Sequence, residues 1–139
     1  MATSGTFVAA GLMVPSLAAI ADAKKSREPM QPVELDLNAD AYRALGTIGG
    51  AVKIPDPTDR KRPIIVIRSA EDTYAAFSSR CTHWGCEVEL PAEGVLLCKC
   101  HHSKFDLNGR VTHGPAKKDL RQFATALEGS RLTITEIGG

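Results

Sequence analysis

Arg80 to Asp106 reads RCTHWGCEVELPAEGVLLCKCHHSKFD. This stretch holds all four cysteines of the chain, three of its four histidines and its only tryptophan. The spacing is Cys81-x-His83-x-x-Cys86, then, beyond Glu87–Leu97, Cys98-x-Cys100-His101. Between the two sets, EVEL and VLLC flank PAEG, a pattern that predicts a hairpin over Glu87 to Cys98. Such a hairpin brings both Cys/His sets to the same end of the domain, side by side.

Outward from this stretch the pattern is that of short strands. VELDL (Val33 to Leu37) alternates apolar and acidic residues, as a half-buried strand does. AYRALGTIGGAVKI (Ala41 to Ile54) carries the paired Gly49 and Gly50 and predicts a turn or short strands. PDPTDRKRP (Pro55 to Pro63) reads as a loop. IIVIRS (Ile64 to Ser69) reads as a buried strand, and with TYAAFSS (Thr73 to Ser79) across AED as a hairpin. GRVTH, LRQFATAL and RLTITEI (Arg131 to Ile137) complete about eight strands, which argues for an all-β antiparallel sandwich or barrel. The 139 residues suffice for one compact domain, expected over residues 31–139, and a tail over residues 1–30. Apolar content of 43% and charged content of 24% are ordinary for a globular protein. A net charge of 17 − 16 = +1 gives no reason to expect nucleic-acid binding.

The tail has its own signature. TFVAAGLMVPSLAAIADA (Thr6 to Ala23) is uncharged until Asp22, and Ala21-Asp22-Ala23 resembles a signal-peptide cleavage site. Its apolar run of about 15 residues falls short of the roughly 20 that a spanning helix needs. No basic residue precedes it, and KKSR (Lys24 to Arg27) follows. An export signal or membrane anchor is the expectation, against an alanine-rich tail without a targeting role.

Three chemistries compete for the cysteines and histidines. A tetrahedral zinc site needs four ligands and leaves two cysteines over. A pair of disulfides leaves the histidines unexplained. A [2Fe–2S] centre with two thiolates on one iron and two imidazoles on the other uses two of each and leaves two cysteines free to pair. CTHWGC with CKCHHS resembles the paired cluster-binding boxes of Rieske iron–sulfur proteins, and GPA (Gly114 to Ala116) resembles that family's proline loop. The resemblance covers roughly residues 60 to 137.

This resemblance implies a small Rieske-type antiparallel fold with a cluster-binding subdomain. It implies that Cys81 and Cys98 ligate one iron, His83 and His101 the other, that Cys86 and Cys100 form a disulfide, and that Ser103 donates its hydroxyl to a bridging sulfide. His83 and His101 would then face solvent and couple electron uptake to proton uptake. Rieske ferredoxins of ring-hydroxylating dioxygenases lack the second cysteine pair, so the pair points to the high-potential branch. The implied function is electron transfer as the iron–sulfur subunit of a quinol:cytochrome c oxidoreductase of cytochrome bc type. Its partners would be quinol and b- and c-type cytochromes, on the periplasmic side of the bacterial inner membrane. The alternatives are the small Rieske subunit of a periplasmic molybdenum oxidase such as arsenite oxidase, with the oxidase large subunit as partner, or a soluble electron carrier.

Two positions depart from the quinol-oxidising pattern. Phe105 stands where those members often carry a tyrosine, so a hydroxyl donor to a cluster thiolate is missing and a lower potential is expected. His102 stands where the family usually has glycine, and bulky aromatic residues there also occur in arsenite oxidase subunits. Trp84 is expected at the exposed tip in contact with a partner, against a buried core position, Gly85 to serve loop backbone geometry, Arg60–Arg62 to lie on a solvated loop, against a docking site for an acidic cytochrome, and His113 to lie on the surface.

Overall fold

The computed structural model describes residues 29–137. The signal-like stretch Thr6–Ala23 lies outside the described residues. The fold is all-β, with β1 (Val33–Asp36), β2 (Ala51–Asp56), β3 (Asp59–Ala70), β4 (Thr73–Ser78), β5 (Leu96–Leu97), β6 (Lys104–Phe105), β7 (Val111–His113), β8 (Gln122–Glu128) and β9 (Arg131–Glu136). Six of these form one antiparallel sheet in the order β1-β9-β8-β4-β3-β2, and β5-β6-β7 form a separate small sheet.

β3 shows why the sheet holds. Successive side chains of a strand point to opposite faces, so IIVI serves both. Ile65 and Ile67 join Phe77, Leu96 and Phe105 in the core beneath the small sheet. Ile64 and Val66 join Leu35, Phe123 and Ile134 on the other face. A strand covered on both faces reads as a continuous apolar run rather than an alternating one.

Three local readings differ from the structure. Asp40–Gly46 forms a short 3-10 helix that buries Leu45 against the outer core, followed directly by β2. Its seven residues are too few for a helical period to emerge from the sequence. Gly50 closes this corner, because a side chain there would collide with the Ala44 carbonyl. The Pro55–Pro63 segment is a strand pair rather than a loop, with Asp56 opposite Asp59 and a bulge between Ile54 and Asp56. Pro55 is tolerated at that bulge on an edge strand, and the Asp56 carboxylate makes the turn by accepting from the Thr58 N–H at 2.7 Å and its hydroxyl at 2.6 Å. The hairpin expected over Glu87–Cys98 exists only as single bridges, Val88 to Cys98 and Ala92 to Val95, with β5 as its one regular piece.

The turn between β6 and β7 depends on Gly109. It has φ 79°, and a Cβ there would stand 2.9 Å from the Phe77 ring. Gly109→Ala is expected to lower stability by about 1–3 kcal/mol, read as a lower urea midpoint with an unchanged slope.

Candidate metal centre

Two loops of the same construction stand at the end of the small sheet. In the first, the Cys81 N–H donates to the Cys86 carbonyl at 2.8 Å and the Gly85 N–H to the Cys81 carbonyl at 2.9 Å. In the second, the Cys98 N–H donates to the Ser103 carbonyl and the His102 N–H to the Cys98 carbonyl, both at 2.9 Å. Residue 81 thus corresponds to 98, 85 to 102 and 86 to 103. The fifth position of each loop is left-handed, with φ 78° at Gly85 and φ 65° at His102. Glycine adopts that conformation freely and other residues do so at a cost, so His102 is a strained replacement whose side chain turns to solvent.

The loops are joined by a disulfide between Cys86, the last residue of the first, and Cys100, the third residue of the second, with Cα atoms 6.3 Å apart. Cys81 and Cys98, which open the loops, are buried free thiols. Burial pushes the Cys98 thiol up from its ordinary value, and the neighbouring Cys81 adds to that. Two thiols in this position give up their protons when a cation takes their place. Above them the His83 and His101 rings meet edge to face, centroids 4.9 Å apart. His101 is exposed and His83 half-buried, and His83 Nδ1 is buried without a hydrogen-bond partner. Among the described residues, no three His, Cys, Asp or Glu side chains converge as a mononuclear site would require. A thiol pair, an imidazole pair and an orphaned ring nitrogen fit a binuclear cluster with two protein ligands per iron.

A third loop packs on both. The Ala116 N–H donates to Ser103 Oγ at 2.9 Å, which leaves the Ser103 hydroxyl hydrogen free to point elsewhere in its buried site. The Thr82 hydroxyl donates to the Lys118 carbonyl at 2.6 Å. Gly114–Pro115, in cis, lies at the start of this segment. Phe105 is fully buried in the core cluster that contains both free thiols.

Residues 49–124 match the Rieske [2Fe-2S] domain. The chain belongs to that family. The cofactor of this Rieske domain is the family's [2Fe–2S] cluster, whose chemistry is one-electron transfer. Over 95 residues the chain is 28% identical to the cytochrome b6-f complex iron-sulfur subunit of Chlorobaculum thiosulfatiphilum, covering 65% of this chain and 52% of that protein. It is 36% identical over 84 residues to a putative respiratory nitrate reductase Rieske subunit of Haloferax mediterranei, covering 50% and 38%. The chain thus spans about half the length of these relatives or less. Among solved structures, the cyanobacterial plasma membrane Rieske protein of Synechocystis superposes with TM-score 0.55 at 28% identity, covering 78% of this chain and 98% of that one.

Of the residues singled out in the sequence, the structure joins Cys86 to Cys100, sets His83 against His101, buries Cys81 and Cys98 in one core cluster and buries Ser103 at the end of the second loop. Trp84 is 73% exposed at the tip, as expected. His113 ends β7 on the surface. The arginines that brace the first loop were missed. Arg62, expected on a solvated loop, donates through its Nε to the Gly85 carbonyl at 2.7 Å. Arg80 pairs with Asp59 at 2.7 and 3.1 Å. These contacts join residues more than 20 positions apart, so no local signal reveals them.

The Arg80 guanidinium, by hydrogen bonding, holds the Asp59 carboxyl down at about 2. A carboxyl depressed by folding stabilises the fold above its unfolded value, near pH 4, and that contribution is lost as pH falls through the folded value. Acid-unfolding curves of the wild type and Asp59→Asn are expected to diverge above about pH 4 and to converge near pH 2.

Proposed function

We propose that Cys81 and Cys98 supply the thiolates to one iron, that His83 and His101 bind the other through ring nitrogens, and that the domain is the electron-transfer subunit of a quinol:cytochrome c oxidoreductase of cytochrome bc type. The observation that carries the ligand set is the orphaned Nδ1 of His83, beside His101 and above two buried thiols. A cluster held by these residues would supply one-electron chemistry. Neutral imidazole ligands remove negative charge from the site and raise the potential into a range of roughly −150 to +300 mV. The chain's own part is to hold the thiols of Cys81 and Cys98 apart from water. Phe105, Leu96 and Ala116 pack with the thiols in one core cluster, and the buried Ser103 hydroxyl, whose oxygen accepts from the Ala116 N–H, would donate to a cluster sulfide. The exposed ring of His101 accepts the hydrogen bond of a quinol hydroxyl and takes its proton.

The disulfide argues for an oxidising compartment, and the uncharged Thr6–Ala21 run for export or anchoring. Both support a place on the periplasmic side of the bacterial inner membrane. Among the described residues no helix is long and apolar enough to cross a membrane. A second reading is a relay subunit of a respiratory or molybdenum oxidoreductase, where no quinol is touched. The likeness to a nitrate reductase Rieske subunit favours it, as do Phe105 and His102.

Two measurements test these readings. Pulsed electron paramagnetic resonance of the reduced protein is expected to detect nitrogen couplings from two imidazoles, one of which disappears in His83→Cys. Purification from native membranes is expected to bring down a b-type haem, with quinol:cytochrome c activity lost in His101→Ala. A molybdenum cofactor in place of the haem establishes the second reading instead.

Phe105→Tyr is expected to raise the reduction potential, because a hydroxyl added beside the thiols donates to one of them and stabilises the extra electron. A hydrogen bond to a charged group is worth about 1.5–3 kcal/mol, which for one electron sets a ceiling of about 65–130 mV. Voltammetry at fixed pH reads the shift, and Phe105→Leu, which adds no donor, is expected to leave the potential nearly unchanged.

A further inference from the structure

Two guanidinium groups reach Gly85, the fifth residue of the first loop. Arg80 packs against it, since a Cβ at Gly85 would stand 2.9 Å from Arg80 Nη1. Arg62 donates from Nε to the Gly85 carbonyl at 2.7 Å. The two bring different net charge. Arg80 is paired with Asp59 at 2.7 Å. Arg62 gives its hydrogen bonds to the carbonyls of Gly85 and Lys61 and meets no carboxylate among the described residues. Glu87, the acid that follows Cys86, is taken by Lys53 at 2.6 Å. Arg62 is also half-buried, and a half-buried charge is screened less by salt than an exposed one. One uncompensated positive charge is therefore held against the loop that carries Cys81 and His83.

The same bond acts on the main chain. A trans amide points its C=O and its N–H in opposite directions. The Gly85–Cys86 peptide is trans, so with its carbonyl turned to Arg62 the Cys86 N–H points away from the guanidinium. That N–H has no hydrogen-bond partner among the described residues. A charged donor on the carbonyl polarises the amide and makes the N–H at its other end a stronger donor. In the second loop the matching carbonyl, that of His102, accepts no hydrogen bond among the described residues. The two loops share their internal hydrogen bonds, and the charged brace belongs to the first alone.

We propose that Arg62 is a positioning residue of the redox centre, which fixes the first loop and raises the reduction potential. Its charge favours the added electron, and the polarised Gly85–Cys86 amide acts in the same direction. A cation and a strengthened donor beside an anionic site both stabilise the state with more negative charge. The effect opposes that of Phe105, where a hydroxyl donor is missing. The inference rests on the reading of Cys81 and His83 as ligands of a one-electron centre.

The test is voltammetry of the full-chain holoprotein at fixed pH, with Arg62→Lys, Arg62→Gln and Arg62→Met beside Arg60→Gln, which removes an exposed cation of the same hairpin. The potential is expected to be highest in the wild type, lower in Arg62→Lys, lower again in Arg62→Gln and lowest in Arg62→Met. The first substitution keeps the charge, the second keeps a neutral donor and the third keeps neither. Arg60→Gln is expected to leave the potential unchanged. Visible circular dichroism establishes that each variant holds an intact cluster, and the urea midpoint reads the mechanical brace separately. A lowered midpoint at unchanged potential makes Arg62 a structural brace only and overturns the proposal. So does an equal fall in Arg60→Gln, which makes the effect one of overall charge. If Arg62→Met assembles no cluster, Arg62→Lys and Arg62→Gln decide: a higher potential in the former supports the proposal, and equal potentials overturn it. A wild type without a reversible one-electron wave, or with nitrogen couplings that survive intact in His83→Cys, refutes instead the reading on which the inference rests.

Discussion

The burial of two thiols side by side is the constraint on which the rest of the domain depends. Cys81 and Cys98 sit within the same core as Ile65, Phe77 and Leu96, where a lone thiolate is costly and two together are costlier. As a bound cofactor offsets that cost, the loops must hold the thiols at fixed places. Both do so with the same pair of main-chain hydrogen bonds, and the disulfide ties one to the other. The six-stranded sheet supplies the floor through β3 and β4 and leads from β4 into the first loop, and β5 and β6 of the small sheet supply the stems of the second.

Charge and polarity are handled differently on the two sides of the loops. Inward, the environment is apolar, with Phe105 rather than a hydroxyl-bearing ring in the same core cluster as the thiols and with Ser103 as a buried polar side chain of the second loop. Outward, His101 and Trp84 are open to solvent, and the bracing cations Arg62 and Arg80 lie under the first loop. The carbonyl of Gly85, held by Arg62, and the side chain of Asp59, held by Arg80, make that loop part of the β2–β3 hairpin. A hairpin with three prolines, which reads as a plain loop, is thus a structural buttress of the site.

Position 102 illustrates a conflict between backbone and side chain. The loop requires a left-handed residue there, as the correspondence with Gly85 makes plain, and the chain supplies histidine. Histidine enters this region more readily than branched or bulky residues, yet it adds a second imidazole next to His101. Its exposure keeps it out of the ring contacts that join His83, Trp84 and His101.

The cysteine and histidine spacing by itself narrowed the chemistry to three candidates, and the resemblance of CTHWGC and CKCHHS to the Rieske boxes decided the cofactor class, because those residue types lie within two short loops. The alternation in VELDL and the apolar run IIVI likewise determined that the fold is all-β, since strand burial imprints a period on the chain. Only the tertiary structure decided what braces those loops. Arg62 to Gly85, Arg80 to Asp59 and Thr82 to Lys118 each join distant segments through one polar side chain, and a single polar contact leaves no periodic trace. The same holds for the strand pairing of the proline-rich segment, which depends on a bulge and on the cover of neighbouring strands.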